Sequence, residues 1–388
     1  YNYSFAVRSI LMKFAFSLII FLLPSLAGAV GLPPPPVLPA RAYVLYDYTS
    51  NQMLVASNTA HEHFAPGSLA KLMTAYVVFN ALEQNQFPPT LEVYPSLGAI
   101  GTQGNETRMF LGHNKPATVN DLLHGLIVQS GNDAARALAE LVSGSEQAFS
   151  FQMNSHAQAL GMRDSHFVNA TGKHDPQQYS SAYDMALLGI AIVRDFPRYY
   201  KMYSVRSYEY NKVTLFNGNR LLWDDPFIDG MANGYDKSIG YDQVASSRRG
   251  DHRLIAVVLG AISASQRDRA SQDLLNYGFR NFEIVPMYQH DQPASRLRVW
   301  KGTSRTVDVG FPDGLSVTIP KGTRPDFKAK MVAHEPVIAP VNAGQQLGVL
   351  ELTLGGKFYA EYPLLALEDV PLANIFSRGW DNIRLMFE

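Results

Sequence analysis

The sequence predicts an α+β domain, then a small all-β domain, then a C-terminal amphipathic helix. Three observations carry that expectation. From Ala42 to Phe279, strand-like runs lie towards both ends and helical periodicity lies between them. After Val285-Pro286 only short alternating runs remain, punctuated by glycine and proline. In the last segment Phe376, Trp380, Ile383 and Phe387 are spaced four, three and four apart, which sets them on one helical face.

The elements follow in chain order. Met12–Ala29 has one basic residue, an apolar run from Phe14 to Leu23 and then small residues, with Ala27 and Ala29 at the −3 and −1 positions of a signal-peptidase site. Phe14–Leu23 is too short to cross a bilayer and Pro24 ends it. Residues 1–29 therefore read as upstream residues and a cleaved export signal, with Met12 as the start. Residues 30–37 are a stiff Pro-rich lead-in.

The main domain is expected over residues 38–284. Ala42–Tyr46 and Met53–Ala56 read as a hairpin that turns at Thr49, Ser50 and Asn51. Leu69–Leu82 has apolar residues at helical spacing after the start signal Pro66-Gly67-Ser68. Val119–Ile127, Ala134–Val142, Glu146–Leu160 and Tyr183–Arg194 also read as helices. Strands return at Ser207–Tyr210, Ile239–Ser246 and Arg253–Gly260, and Arg269–Phe279 closes the domain as a helix. Residues 285–372 make the β domain, in which Leu315–Ile319 alternates cleanly. Residues 373–388 make the terminal helix, which either packs on its own domain or lies in a membrane surface; its terminal place and large aromatics favour the membrane.

Bulk properties exclude several classes. The 388 residues suffice for two domains, and 46% hydrophobic with 17% charged residues is a globular composition. A net charge of −1 offers no basic field, so nucleic acid is not an expected partner. The chain has no cysteine, which excludes disulfides, thiolate catalysis and Cys-based zinc sites. His61-Glu62-His63 lacks the four-residue helical spacing of a zinc site, so neither a metal nor another cofactor is expected.

Two short motifs could carry chemistry. Ser68 and Lys71 stand three apart at the start of a predicted helix and share a face. A serine hydroxyl needs an adjacent base to become a nucleophile, and a lysine can be that base if desolvation lowers its pKa. The helix N-terminus favours developing negative charge beside the serine. By itself the pair is a helix cap with a solvated lysine before it is a catalytic pair. Ser130-Gly131-Asn132 lies in a polar break between two helical runs. Alone it is a turn; as chemistry, Ser130 could relay a proton and Asn132 could bond a substrate amide.

Ser-x-x-Lys, then Ser-x-Asn, then a strand pair near Ile228–Ser247 is the order found in the penicillin-recognising serine enzymes. The stretches PGSLAKLMTAYVVFNAL, TRMFLG, LIVQSGNDAARALAE, QYSSAYDMALLG, LLWDDPFIDG and KSIGYDQVAS resemble the penicillin-binding protein 5/6 group of D-alanyl-D-alanine carboxypeptidases. The resemblance runs from about Ala40 through the C-terminal tail. It implies a β-lactamase/transpeptidase-like serine domain with an antiparallel sheet and helices. It also implies the β domain and a peripheral anchor on the periplasmic face of the bacterial inner membrane. Peptidoglycan stem peptides are then the substrate, with removal of the terminal D-alanine through an acyl-enzyme, and β-lactam antibiotics trap the same serine. Carried over by motif, Ser68 is the nucleophile, Lys71 its base, Ser130 the proton relay and Asn132 an amide contact. The oxyanion hole falls to the backbone N–H groups of Ser68 and Tyr235, which do not depend on side-chain identity.

The chain departs from the family at one point. The family has Asp-Gly-x-Lys-Thr-Gly on the third-motif strand, and this chain has Asp229-Gly230-Met231-Ala232-Asn233-Gly234. In the family that lysine and threonine bind the substrate's terminal carboxylate. Losing a buried cation that faces a carboxylate costs about 2–5 kcal/mol, roughly 30- to several-thousand-fold in rate. Gly234 is kept, Asn233 retains a donor, and Arg267 matches a family arginine that serves the carboxylate; as a bare residue Arg267 also reads as a surface salt bridge. Lys237 is no obvious substitute, since the family carries charged residues in that turn. The alternative reading is a catalytically impaired paralogue that binds peptidoglycan structurally. A secreted β-lactamase would need neither the β domain nor the tail.

Overall fold

The computed structural model describes residues 33–101, 106–374, Asp381 and Arg384. The expected export signal lies outside the described residues, and so does the terminal helix apart from Ala373, Asn374, Asp381 and Arg384. Among the described residues no helix is long and apolar enough to cross a membrane.

The main domain opens with the hairpin β1 (Ala42–Asp47) and β2 (Gln52–Ala56). Helix α1 (Ala70–Glu83) follows, preceded by a 3-10 turn over Gly67–Leu69. Then come β3 (Glu92–Val93), α2 (Leu97–Ile100), β4 (Ala117–Thr118), α3 (Val119–Val128), α4 (Asn132–Ser143), α5 (Glu146–Ala159), α6 (Ala182–Asp195) and α7 (Pro197–Tyr200). The hairpin β5 (Ser207–Tyr210) and β6 (Val213–Phe216) and the turn α8 (Leu221–Asp224) lead to β7 (Ile228–Asp236), β8 (Gly240–Arg249), β9 (His252–Ala261) and α9 (Ala264–Asn281).

Five strands form one antiparallel sheet in the order β2-β1-β9-β8-β7. Its central strand β9 shows why a continuous apolar run can still be a strand. Ile255, Val257 and Leu259 enter the core shared with α1, α3, α4, α5 and α6, whereas Leu254, Ala256 and Val258 enter the core under α9. With helices on both faces, neither side of the strand needs polar residues. Helix α1 is buried almost all round, from Ala70 to Leu82 except Asn80, because it runs between the sheet and the other helices.

The second unit contains β10 (Phe282–Tyr288), β11 (Pro293–Trp300), β12 (Thr306–Gly310), β13 (Leu315–Pro320), β14 (Phe327–Ala333), β15 (Val337–Ile338), β16 (Gln346–Leu354) and β17 (Lys357–Ala366). Its larger sheet has the order β14-β16-β17-β12-β11-β15, and β10 pairs with β13. Its core is separate, built on residues such as Val307, Val309, Val317, Ile319, Leu352 and Leu364. The two units meet through polar atoms. Thr318 on β13 donates to the Asp47 carboxylate at 2.6 Å, and Gln52 accepts from the Thr318 amide at 2.7 Å.

Two elements that border the cleft differ from their sequence expectation. Helix α9 starts at Ala264 rather than Arg269, because the Ser263 hydroxyl caps it by accepting from the Gln266 amide at 3.2 Å. Arg267 is thereby in the first helical turn. The β6 strand, absent from the sequence reading, pairs with β5 although three of its four residues are exposed. Its exposed face gives no alternation towards a core, so only the pairing reveals it.

Candidate active site

A cleft of about 620 Å³ opens between the start of α1, the α3–α4 junction, β7 and the Phe216–Arg220 segment. Ser68 sits in the 3-10 turn and Lys71 in the first turn of α1, and both line the cleft. Gly67 permits the turn. Its φ is +49°, and a Cβ there would stand 2.9 Å from the Tyr235 carbonyl oxygen. The third-motif strand therefore runs directly against the turn that carries Ser68.

Lys71 is only 5% exposed. Its Nζ donates to the Thr171 carbonyl at 2.6 Å and lies 3.5 Å from the Ser68 Oγ. Burial lowers its pKa from 10.5 to about 7; Glu106 pulls it upwards and Arg136 pushes it down. Close to neutral pH a large part of Lys71 is thus an unprotonated amine within reach of a hydroxyl.

The α3–α4 junction supplies the next wall. Ser130 lines the cleft and holds φ +56°, a left-handed conformation uncommon for a residue with a Cβ. The Asp133 carboxylate fixes the junction by accepting from the amides of Met109 at 2.9 Å, Leu111 at 3.1 Å and Ala134 at 2.9 Å. Asn132 donates its own amide to the Thr107 carbonyl at 2.8 Å. Its side chain hydrogen-bonds Glu106, and it is not among the residues that line the cleft. Glu106 also pairs with Arg136 at 2.7 Å; burial works to raise its pKa, but the bonds from Arg136 and Asn132 outweigh this and lower it.

On β7, Ala232, Asn233, Gly234 and Tyr235 all face or border the cleft. A Cβ on Gly234 would meet the Leu69 amide nitrogen at 3.3 Å and that of Ser68 at 3.5 Å, so the bare glycine lets the strand lie against the amides beside the nucleophile. Asn233 spends one N–H on the Gly218 carbonyl at 3.0 Å. Arg267 reaches the cleft, but it is 3% exposed and its Nε and Nη2 both donate to Asp268, at 2.9 and 2.7 Å. The salt bridge is real, then, and buried rather than on the surface. Lys237 is exposed and absent from the lining.

The structure brings Ser68, Lys71, Ser130, Asn233, Gly234, Tyr235 and Arg267 to one cleft, and bonds the Asn132 side chain to Glu106. It adds residues that sequence reasoning missed, above all Arg220. The only signal in the sequence was the turn-forming run Asn217-Gly218-Asn219 before it, which marks a loop and not a site. Among the described residues no group of three or more His, Asp or Glu side chains could hold a metal ion.

Comparisons with known proteins agree on one relationship. The family model described as D-alanyl-D-alanine carboxypeptidase matches residues 31–263, and that of the penicillin-binding protein 5 C-terminal domain matches residues 282–372. The chain is 39% identical to D-alanyl-D-alanine carboxypeptidase DacC of Escherichia coli over 358 residues, 91% of this chain and 89% of that one. It is 36% identical to E. coli DacA, covering 92% of this chain and 90% of the relative. Penicillin-binding protein 5 from Haemophilus influenzae superposes with a TM-score of 0.83 at 38% identity, over 88% of this chain and all (100%) of that one. Penicillin-binding protein D2 from Listeria monocytogenes, solved in an ampicillin-bound form, superposes with a TM-score of 0.58 at 26% identity, over 64% of this chain and 100% of that one.

Proposed function

The chain belongs to the D-alanyl-D-alanine carboxypeptidase family, and on that premise we propose how the Ser68 cleft works. The protein is a serine-type D-Ala-D-Ala carboxypeptidase, a penicillin-binding hydrolase acting in cell-wall peptidoglycan. Ser68 Oγ attacks the carbonyl between the two terminal D-alanines of a stem pentapeptide. Lys71 takes the hydroxyl proton, and Ser130 passes a proton to the departing amine. The backbone N–H groups of Ser68 and Tyr235 hold the oxyanion while D-alanine leaves. Water then attacks the Ser68 ester, and the same base frees the trimmed tetrapeptide. A β-lactam follows the first half of this path and stays on Ser68.

One observation carries the reading: Lys71, with a pKa of about 7, lies 3.5 Å from the Ser68 hydroxyl at the wall of a cleft. Ala232 and Asn233 remove two side chains from the strand, but the nucleophile, base, relay and backbone donors belong to other positions. Asn132 donates to Glu106 and keeps its amide oxygen and a second N–H for the substrate amide. We place the catalytic domain over about 38–284 and the β domain over about 285–372, a division that falls within β10, which starts at Phe282. The protein is exported and held at the periplasmic face of the inner membrane by the segment 373–388, a reading supported by the aromatic face of that segment.

Mass spectrometry of the intact protein with excess benzylpenicillin tests the core of this. The expected result is one adduct on Ser68, absent in Ser68→Ala, together with D-alanine release from a pentapeptide. An unmodified wild-type mass would sink the proposal. An adduct without measurable D-alanine release would turn it towards the peptidoglycan-binding paralogue.

A further inference from the structure

The third-motif strand offers no cation to a substrate carboxylate, because Ala232 stands where the family has lysine. We propose that Arg220, from the loop beside that strand, holds the free C-terminal carboxylate of the substrate. The inference rests on the carboxypeptidase reading given above and names the group that gives it preference for an acid terminus.

Three cationic side chains line the cleft among the described residues: Lys71, Arg220 and Arg267. Lys71 is committed to Thr171 and Ser68, and must be neutral to act as a base. Arg267 already spends Nε and one N–H of Nη2 on Asp268, whose negative charge offsets its own. Arg220 is exposed, and among the described residues its guanidinium has neither a hydrogen-bond nor an ion-pair partner. Of the three it alone has a guanidinium with no protein partner among the described residues, so both of its edges can receive a carboxylate in a bidentate grip.

Its backbone is held firmly although its side chain is free. Asn217 is buried and donates to the Val205 carbonyl at 2.9 Å. Asn219 is fully buried, accepts from the Leu221 amide at 3.2 Å and from Gln243 Nε2 on β8 at 2.9 Å. Between them Gly218 accepts the Asn233 amide, so the loop is tied to β7 at the altered motif itself. A side chain at 218 would collide with Asn233, since a Cβ there falls 2.7 Å from its Oδ1. Asparagine at 233 and glycine at 218 thus form a matched pair. They hold the loop against the strand, and Arg220 lines the same cleft as Ala232.

The readout is discrimination between a peptide ending in D-Ala-D-Ala acid and the same peptide ending in the amide. In the wild type kcat/KM should favour the acid. Arg220→Gln should lose roughly ten- to a hundredfold on the acid and little on the amide, and Arg220→Lys should keep part of the preference. Ala232→Lys in the Arg220→Gln background should restore it, which a merely structural role for Arg220 would not allow. The same acid-to-amide ratio taken as equilibrium binding to the Ser68→Ala protein decides the point even if turnover is nil, and so separates failure here from failure of the carboxypeptidase reading. An unchanged ratio in Arg220→Gln, its collapse in Arg267→Gln alone, or no acid preference in the parent protein would each overturn the assignment.

Discussion

Lys71 is useful because it is buried. Its ammonium gives up water on folding, and its pKa falls from 10.5 to about 7. The unprotonated amine is the working form, so penicillin acylation should rise with pH through a single ionisation near 7 and level off above it. Lys71→Met should cut acylation by about 10²- to 10⁴-fold and flatten that profile. A wild-type midpoint near 10 would remove Lys71 from the role of base. The linkage to stability has the same sign. Between about 7 and 10.5 the unfolded chain carries a proton on this lysine that the native state does not, so its penalty is full below pH 7 and eases as pH rises. At this scale Ser68, Lys71 and Ser130 were legible from motif spacing. Arg220 was not, because what distinguishes it is the lack of a partner, and partners are assigned by the fold.

Among the elements, β7 depends on its neighbour strands for its place beside Ser68. Asp229, just before the altered motif, takes a bidentate pair from Arg253 on β9 at 2.8 and 2.7 Å, and also accepts from Tyr200 at 2.7 Å. Arg253 is 8% exposed, so Asp229→Ala would leave a nearly buried guanidinium without its counter-charge. We expect a loss of about 2–4 kcal/mol in urea unfolding, below the figure for a fully buried pair because the Asp229 side chain is 31% exposed. A loss below roughly 0.5 kcal/mol, the range of ordinary surface substitutions, would show that the sheet holds β7 without it. The helices of this domain were readable from periodicity, and β9 from its apolar run. The start of α9 was misplaced because a serine cap and a polar first turn carry no hydrophobic signal.

Over the whole molecule, the β unit joins the catalytic unit at the β1–β2 turn, far along the chain from its own core. Asp47 is fully buried there and takes bonds from Thr318 at 2.6 Å and His252 at 2.7 Å. Thr318→Val keeps the shape and removes the hydroxyl that binds Asp47 and Ser50. The expected cost is about 1–3 kcal/mol, seen in calorimetry as a lower or split unfolding transition. Because every residue lining the cleft lies between Ser68 and Arg267, penicillin acylation should stay within about twofold of the wild type. A large fall in acylation would mean that the β unit shapes the cleft.

By itself the sequence determined the class of chemistry: a serine three residues ahead of a lysine, a Ser-Gly-Asn break, and a strand whose lysine and threonine are replaced. Local spacing puts Ser68 and Lys71 on one face, and the resemblance of the wider stretches to the carboxypeptidase family assigns the chemistry. Only the tertiary structure decided how the site is charged. Burial among distant segments sets the Lys71 pKa, Asp268 takes two donors of Arg267, Glu106 bonds Asn132, and Arg220 stands without a side-chain partner among the described residues. Each of these depends on which groups lose water and which find a partner, and the fold assigns both.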